Sequence, residues 1–264
     1  MRYKTSLHLL AYLVLFAGCT NNAASSSFQK AEDLWKKGLY NEAVAQYERI
    51  VSDYPKSDYS PVSLYKKGII QSLYLLNYDN ALNSFEKLIL LYPESKEAPL
   101  AKRQIADINM YKLKNYERAI MAYQQLTDEE ILDDPDAIQL NIALAYLKSG
   151  DFEQGRIEFH YLMNRFPSSS LIARAYFEIA NSYLLEGEKE LAIDNYRKIV
   201  KFYPASKYFV DSKYGTAVAL EEQGNLRQAM IIYKVLEGAY TNPPAIKVRI
   251  ASLEKRLKSI KQIR

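Results

Sequence analysis

Residues 176–204 read YFEIANSYLLEGEKELAIDNYRKIVKFYP. Ala192, Tyr196 and Ile199 stand at offsets 0, +4 and +7, which places them on one face of a helix. Gly187, five residues ahead of Ala192, suits the left-handed cap that ends a preceding helix. Pro204 cannot continue a helix and disfavours helical geometry at Tyr203 before it. The stretch predicts helix, tight turn, helix, proline stop.

The same pattern recurs along the chain. The small residue is Ala43, Ala81, Ala119, Gly155, Ala192 and Ala229, at intervals of 38, 38, 36, 37 and 37. Four places on stands an aromatic each time: Tyr47, Phe85, Tyr123, Phe159, Tyr196 and Tyr233. Seven places on stands an aliphatic: Ile50, Leu88, Leu126, Leu162, Ile199 and Leu236. Helix A of each unit is expected to end at Gly38, Gly150, Gly187 or Gly224. In units two and three the glycine is missing, and Asn77 and Asn115, one place later, are expected to supply the left-handed turn. Helix B closes at Tyr54-Pro55, Tyr92-Pro93, Phe166-Pro167 and Tyr203-Pro204. A single helix pair cannot bury its apolar face alone, so such units stack. The six helix-B aromatics are then packing residues between helices, and much of the excess of 23 tyrosines needs no cofactor to explain it.

Position for position, residues 176–204 resemble the tetratricopeptide repeat, with Tyr176 where that family prefers tryptophan. The resemblance covers residues 28–241. It implies an all-α fold: a right-handed superhelical solenoid of about six helix pairs. Unit three departs most, since Asp107 falls where helix A wants a small residue and the closing proline is absent. Residues 242–264 are expected to form a basic amphipathic C-terminal capping helix. Ile246, Ile250, Leu253, Leu257 and Ile260 make its apolar stripe. Its other face carries Lys247, Arg249, Lys255, Arg256 and Lys258, which suit either a solvated cap or docking to an acidic partner or anionic lipid.

The N-terminus reads as a targeting segment. Arg2 and Lys4 precede a short apolar run from Leu7 to Phe16, too short for a permanent span, and small residues Ala17 and Gly18 lead to Cys19. Phe16-Ala17-Gly18-Cys19 resembles the lipobox of bacterial lipoproteins. The resemblance implies that residues 1–18 are removed and that Cys19 carries the lipid. Residues 20–27, TNNAASSS, read as a flexible tether, with helix one beginning at Phe28.

Composition narrows the chemistry. Cys19 is the only cysteine, which excludes an internal disulfide and a zinc site of several thiolates. A net charge of +4 does not point to nucleic acid. His160 is the one histidine outside the targeting segment. The acidic run Asp128–Asp136 lacks the alternating ligands and central glycine of a calcium loop. No phosphate loop, HExxH or GxSxG occurs. The expectation is no enzyme, no metal and no cofactor.

What remains is surface. The family's concave groove is lined by helix A, and the register puts Phe28, Trp35, Tyr65, Tyr111, Leu140, Leu144, Phe177, Asn181 and Tyr214 near it, a set suited to an extended or helical peptide. Leu140 and Leu144 stand where the chaperone-tail form of the fold has its carboxylate clamp, so no such clamp is expected there. The closings Tyr54-Pro-Lys-Ser, Tyr92-Pro-Glu-Ser, Phe166-Pro-Ser-Ser and Tyr203-Pro-Ala-Ser resemble the BamD/YfiO family of outer-membrane assembly lipoproteins. That resemblance implies a lipid-anchored scaffold at the outer membrane, facing the periplasm. Its partners would be envelope proteins, including a β-barrel assembly subunit and unfolded outer-membrane protein segments. Thr20, where an aspartate would favour inner-membrane retention, agrees in a Gram-negative source. The closing is shared with the YbgF-type protein of the Tol–Pal system and with pilus or secretin pilot lipoproteins. The near-uniform spacing lacks the long insertion typical of BamD/YfiO. A cell-wall-processing enzyme on a helical solenoid would need a separate compact domain, for which no non-repeat segment is long enough.

Overall fold

Among the described residues, twelve helices fall into six hairpins, and a thirteenth follows. The computed structural model describes residues 22–126 and 134–263. The targeting segment, Cys19 and most of the acidic run lie outside the described residues, as do the side chains of 260–264. The chain divides into two units, Met1–Asp133 and Asp134–Arg264. In the first are α1 (22–36), α2 (Tyr40–Asp53), α3 (Tyr59–Leu73), α4 (Tyr78–Leu91), α5 (Glu97–Ile108) running into a π turn (Asn109–Leu113), and α6 (Tyr116–Gln124). In the second are α7 (Pro135–Ser149), α8 (Phe152–Arg165), α9 (Ile172–Leu185), α10 (Lys189–Phe202), α11 (Phe209–Glu222), α12 (Leu226–Leu236) and α13 (Pro243–Ile263). From α2 on, each helix packs on the next within its unit. Odd-numbered helices up to α11 are the A helices and even-numbered ones the B helices. Among the described residues there is no strand, so the all-α architecture of stacked repeats is as expected.

The core is the predicted one. All six helix-B aromatics are fully buried, together with Ile50, Leu88, Leu126, Leu162, Ile199 and Leu236. Each ring of that size is worth about 1.5–3 kcal/mol of burial. Ala43, Ala81, Ala119, Ala192 and Ala229 are fully buried and Gly155 is buried, which explains why the reference position is small.

Two turn chemistries join A to B. At Gly38, Gly150, Gly187 and Gly224 φ lies between +75° and +92°. The next residue's N–H bonds the carbonyl five residues back, as in Asp151 to Tyr146 at 3.0 Å. In repeats two and three the expectation fails. Asn77 and Asn115 have φ of −96° and −88°, and their side chains instead cap α4 and α6 by accepting from Asn80 and Arg118 N–H. The left-handed residues are Leu76 (φ +51°) and Lys114 (φ +55°), at the glycine position itself. Here Asn77 N–H reaches back six residues to Gln71, and Asn115 to Asn109, so these turns are one residue wider.

The Tyr-Pro-x-Ser closing is also a turn. Ser57, Ser95, Ser169 and Ser206 each donate N–H to the carbonyl of the preceding aromatic, at 2.9–3.1 Å. The hydroxyls of Ser57, Ser169 and Ser206 then accept from Tyr59, Leu171 and Tyr208 N–H, starting the next helix A. The proline supplies the fixed φ and needs no donor.

Residues 22–27, read above as tether, are helical. Ala24 is fully buried, Tyr59 Oη donates to Ser25 Oγ at 3.2 Å, and Gln46 Nε2 donates to Ser27 Oγ at 2.6 Å. Small residues fit this helix closely against α2 and α3, so packing overrides their weak helix propensity.

Candidate functional site

The A helices carry most of the predicted groove residues, and each unit presents its own set. In the first unit Phe28 lies 5.8 Å from the Tyr47 ring and 5.1 Å from Tyr59. Tyr65 lies 5.8 Å from Phe85. In the second, Phe177 sits 5.9 Å from Tyr196 and 5.0 Å from Tyr208, and Tyr214 sits 5.9 Å from Tyr233 and stacks on Tyr240 at 4.6 Å. Phe28, Tyr65, Phe177 and Tyr214 are thus each seated on the buried helix-B ring of their own repeat, while Trp35 lies 6.1 Å from Tyr74. Seating fixes the ring's orientation while part of it stays open to solvent.

Leu140 and Leu144 are corrections. They are 3% and 6% exposed, so they belong to the core of the second unit and offer no groove surface. Leu140 holds the ring position of repeat four, with an aliphatic side chain in place of the ring. Tyr111 is exposed, but it stands on the π turn at the end of helix A and not within an α-helical face. Asn181 is half-buried, and its Oδ1 accepts from Tyr196 Oη at 2.5 Å.

That last bond belongs to a rule the periodicity did not disclose. Where helix B carries tyrosine, an A helix supplies an acceptor: Glu32 for Tyr47, Asp107 for Tyr123 at 2.5 Å, Asn181 for Tyr196, and Glu221 for Tyr233 at 3.2 Å. Where helix B carries Phe85 or Phe159, the residue at the place of Glu32, Asp107 and Asn181 is Ile69 or Leu144, while repeat six has Val218 there and takes its acceptor, Glu221, three residues later. A buried phenol without an acceptor is costly, so ring and acceptor change together. Asp107, the apparent blemish of repeat three, is therefore a ring partner. Burial first, and then the nearby carboxylates, push all four phenols well above their ordinary range; Arg249 opposes this at Tyr233. They remain neutral donors.

A cation that pattern reading missed completes the first unit's face. Lys66 Nζ lies 2.9 Å from Glu32 Oε1, and 5.6 and 5.0 Å from the Phe28 and Trp35 ring centres. In the second unit Arg156 pairs with Glu186 and lies 4.3 Å over Tyr183. The 15-residue offset from Glu32 to Tyr47 was the one available signal for the acceptor.

The C-terminal helix packs on the last repeat, and the correction concerns two of its cations. Ile246 and Leu253 are fully buried on the second unit, with Ile250 and Leu257 beside them. Arg249 and Arg256, offered above as docking cations, bond Glu221 of α11 at 3.1 and 2.9 Å. They fasten α13 to the repeat. Lys247, Lys255 and Lys258 stay exposed.

Among the described residues, no group of three or more His, Cys, Asp or Glu is placed to hold a metal ion, and no helix is long and apolar enough to cross a membrane.

No curated protein sequence matches the chain. Among solved structures it resembles PilW, a widely conserved type IV pilus biogenesis factor, at 17% identity and a TM-score of 0.53, over 88% of this chain and 99% of PilW. It resembles Pseudomonas aeruginosa PilF at 13% identity and 0.52, over 90% and 99%. It also resembles a chain in the Naa15/Naa10 complex bound to HypK-THB, at 16% and 0.64, over 93% of this chain and 35% of that one. These likenesses concern the fold. Family profiles of the tetratricopeptide repeat match residues 25–57, 63–95 and 140–207, together half of the chain, and the first match begins inside α1. With six hairpins, the glycine turns and the proline closings in place, the chain belongs to the tetratricopeptide-repeat family of protein-binding scaffolds.

Proposed function

We propose that the chain is a lipid-anchored, non-enzymatic scaffold of the bacterial envelope, tethered through Cys19 at the periplasmic face of the outer membrane, with its helix-A faces binding extended or helical segments of partner proteins. One observation carries the binding part. Phe28, Trp35, Tyr65, Phe177 and Tyr214 are half-buried rings on A helices, and four of them rest on the buried aromatic of helix B. Rigid rings with one side open bind peptide at low entropic cost. The lipobox-like Phe16-Ala17-Gly18-Cys19 supports the anchor.

At the level of the envelope machine two readings stand. The BamD/YfiO resemblance, and with it outer-membrane β-barrel assembly, rested on the Tyr-Pro-x-Ser closings. Their hydrogen bonds account for them as turns, so they speak for the fold. The pilus or secretin reading gains support from the end-to-end likeness to PilW and PilF.

Photo-reactive residues at Trp35 and Phe177, activated in membranes, test the scaffold. Capture of a barrel-assembly subunit selects the first reading, and capture of a pilus component or secretin the second. A Tol–Pal component would select neither, and no captured protein would sink the scaffold reading. Cys19→Ser is expected to release the protein from membranes, and attachment that survives alkaline extraction in that variant would rule out the anchor.

A further inference from the structure

A groove of about 490 Å³ lies between α10 and α12 of the second unit, with Lys213 and Thr216 of α11 between them, and none of the helix-A rings described above lines it. Its floor is Val200, Thr216 and Ile232. One rim is basic: Arg197 and Lys201, both exposed, four residues apart on α10. The other is aliphatic: Ile231 and Val235, 64% and 63% exposed, four residues apart on α12. Lys213 adds a third cation, and no carboxylate lines the groove.

The repeats provide an internal control for these residues. Counted from the small residue, Ile231, Ile232 and Val235 stand at +2, +3 and +6. Repeat five has Asp194, Asn195 and Lys198 there, and repeat two has Asn83, Ser84 and Lys87. No other repeat is aliphatic at all three positions. Likewise Arg197 and Lys201, at +5 and +9, are the only pair of cations at those positions in any repeat. The helix-B scaffold therefore demands neither rim, and the chain places the two on facing helices once. α13 does not account for the aliphatic rim, since both residues stay exposed with α13 in place.

We propose that this groove docks an acidic amphipathic helix of a partner protein. Each rim presents residues one helical turn apart, about 6 Å along the axis. A helix with apolar residues at i and i+4, flanked by carboxylates at the same spacing, meets both at once. Charge complementarity selects acid over base. Concavity selects a helix over a lipid surface, which is engaged by protruding side chains. This surface is distinct from the helix-A rings, so either reading can fail alone.

The test uses the full chain and two labelled synthetic 18-residue helices with the same leucine stripe, one flanked by glutamates and its twin by lysines, read by fluorescence anisotropy. The glutamate helix is expected to bind at least tenfold tighter than the twin. Arg197→Glu with Lys201→Glu is expected to reverse that order. Ile231→Asp with Val235→Lys, the residues repeat five carries, is expected to weaken the glutamate helix at least tenfold with circular dichroism unchanged. A photo-reactive residue at Val235 in the otherwise native chain is expected to crosslink the glutamate helix, and this reports even where a double variant folds poorly. Equal binding of the twins, or affinity indifferent to both double variants, overturns the proposal. So does self-association that Ile231→Asp with Val235→Lys abolishes, which would make a second copy the occupant. Capture of phosphatidylglycerol vesicles through the same residues would overturn it as well.

Discussion

The two units build the same three hairpins with different turns. The second uses Gly150, Gly187 and Gly224 in left-handed geometry, at no steric cost. The first uses glycine once, at Gly38, and then forces Leu76 and Lys114 into the same region, at roughly 1–2 kcal/mol each. Around those wider turns it exposes Leu73, Tyr74, Leu76, Tyr111 and Leu113. A hairpin thus tolerates a poor turn when the stack on either side is well packed, because the buried aromatic and its neighbours outweigh the local strain. The units also end differently. Among the described residues, the outward side of α1 is largely polar, with Asn22, Ser26, Gln29, Lys30 and Asp33. The second unit needs α13.

The largest expected effect breaks that second difference. Glu221→Ala removes the shared acceptor of Arg249, Arg256 and Tyr233 and is expected to cost about 3 kcal/mol. Hydrogen exchange should show α13 losing protection while the first unit keeps its own. Unchanged α13 protection would mean that Ile246 and Leu253 hold the helix unaided.

A smaller effect should fall equally on both units. A Cβ at Gly68 would lie 2.5 Å from the Phe85 ring, and one at Gly215 2.4 Å from the Tyr196 ring. Gly68→Ala and Gly215→Ala are each expected to destabilise by about 2 kcal/mol in urea unfolding, overpacking exceeding the gain in helix propensity. Stabilisation by either would show that the ring has room to shift.

The acceptor rule gives a cycle. Asn181→Leu should cost about 1–2 kcal/mol by stranding the Tyr196 hydroxyl. Adding Tyr196→Phe, which recreates the Phe159–Leu144 pair of repeat four, should restore much of it, with a coupling of about 1 kcal/mol. Strictly additive losses would refute the pairing. The turns themselves should respond in opposite directions: Leu76→Gly is expected to stabilise the first unit by about 1 kcal/mol, and Gly187→Ala to destabilise the second by a similar amount.

The smallest difference is in pH. Glu48 and His160 hold the same repeat position, +5, in the two units. Burial acts against the Glu48 carboxylate, but Lys67 and Lys87, at 2.6 and 2.8 Å, outweigh it and hold its pKa below the usual value. Its stabilisation is present above the unfolded value and is lost as pH falls through the lower folded one. Burial first, and then Lys198, lower the His160 pKa. The unfolded chain takes up that proton first, so stability declines as pH falls below the ordinary histidine value. Urea midpoints should therefore begin to fall at a higher pH for the second unit, and His160→Gln should remove that early decline.

Much of the fold was legible because it is periodic. The 0, +4, +7 pattern named the six buried rings and their aliphatic partners, and every one is in the core. The proline closings and the four turn glycines stand where the spacing put them. The groove was legible only in part. Phe28, Tyr65, Phe177 and Tyr214, which the register put near the groove, are half-buried rings, while Leu140 and Leu144 are core. Register gives a residue's face, but burial depends on what the rest of the chain packs against that face.

By itself the sequence determined the repeat, its helices and their buried faces, because those follow from spacing within a single hairpin. Tertiary structure decided what depends on partners distant in the chain. It chose Leu76 and Lys114 over Asn77 and Asn115 for the left-handed turns, since the bend keeps the glycine position and each asparagine serves as the N-cap of the next helix. It extended α1 back to residue 22, because Ala24, Ser25 and Ser27 found partners up to 34 residues away. It turned Arg249 and Arg256 inward to Glu221, 28 and 35 residues before them. A charge on an amphipathic helix reads as solvated until a buried carboxylate is brought beneath it, and only the packing of α13 on the last repeat does that.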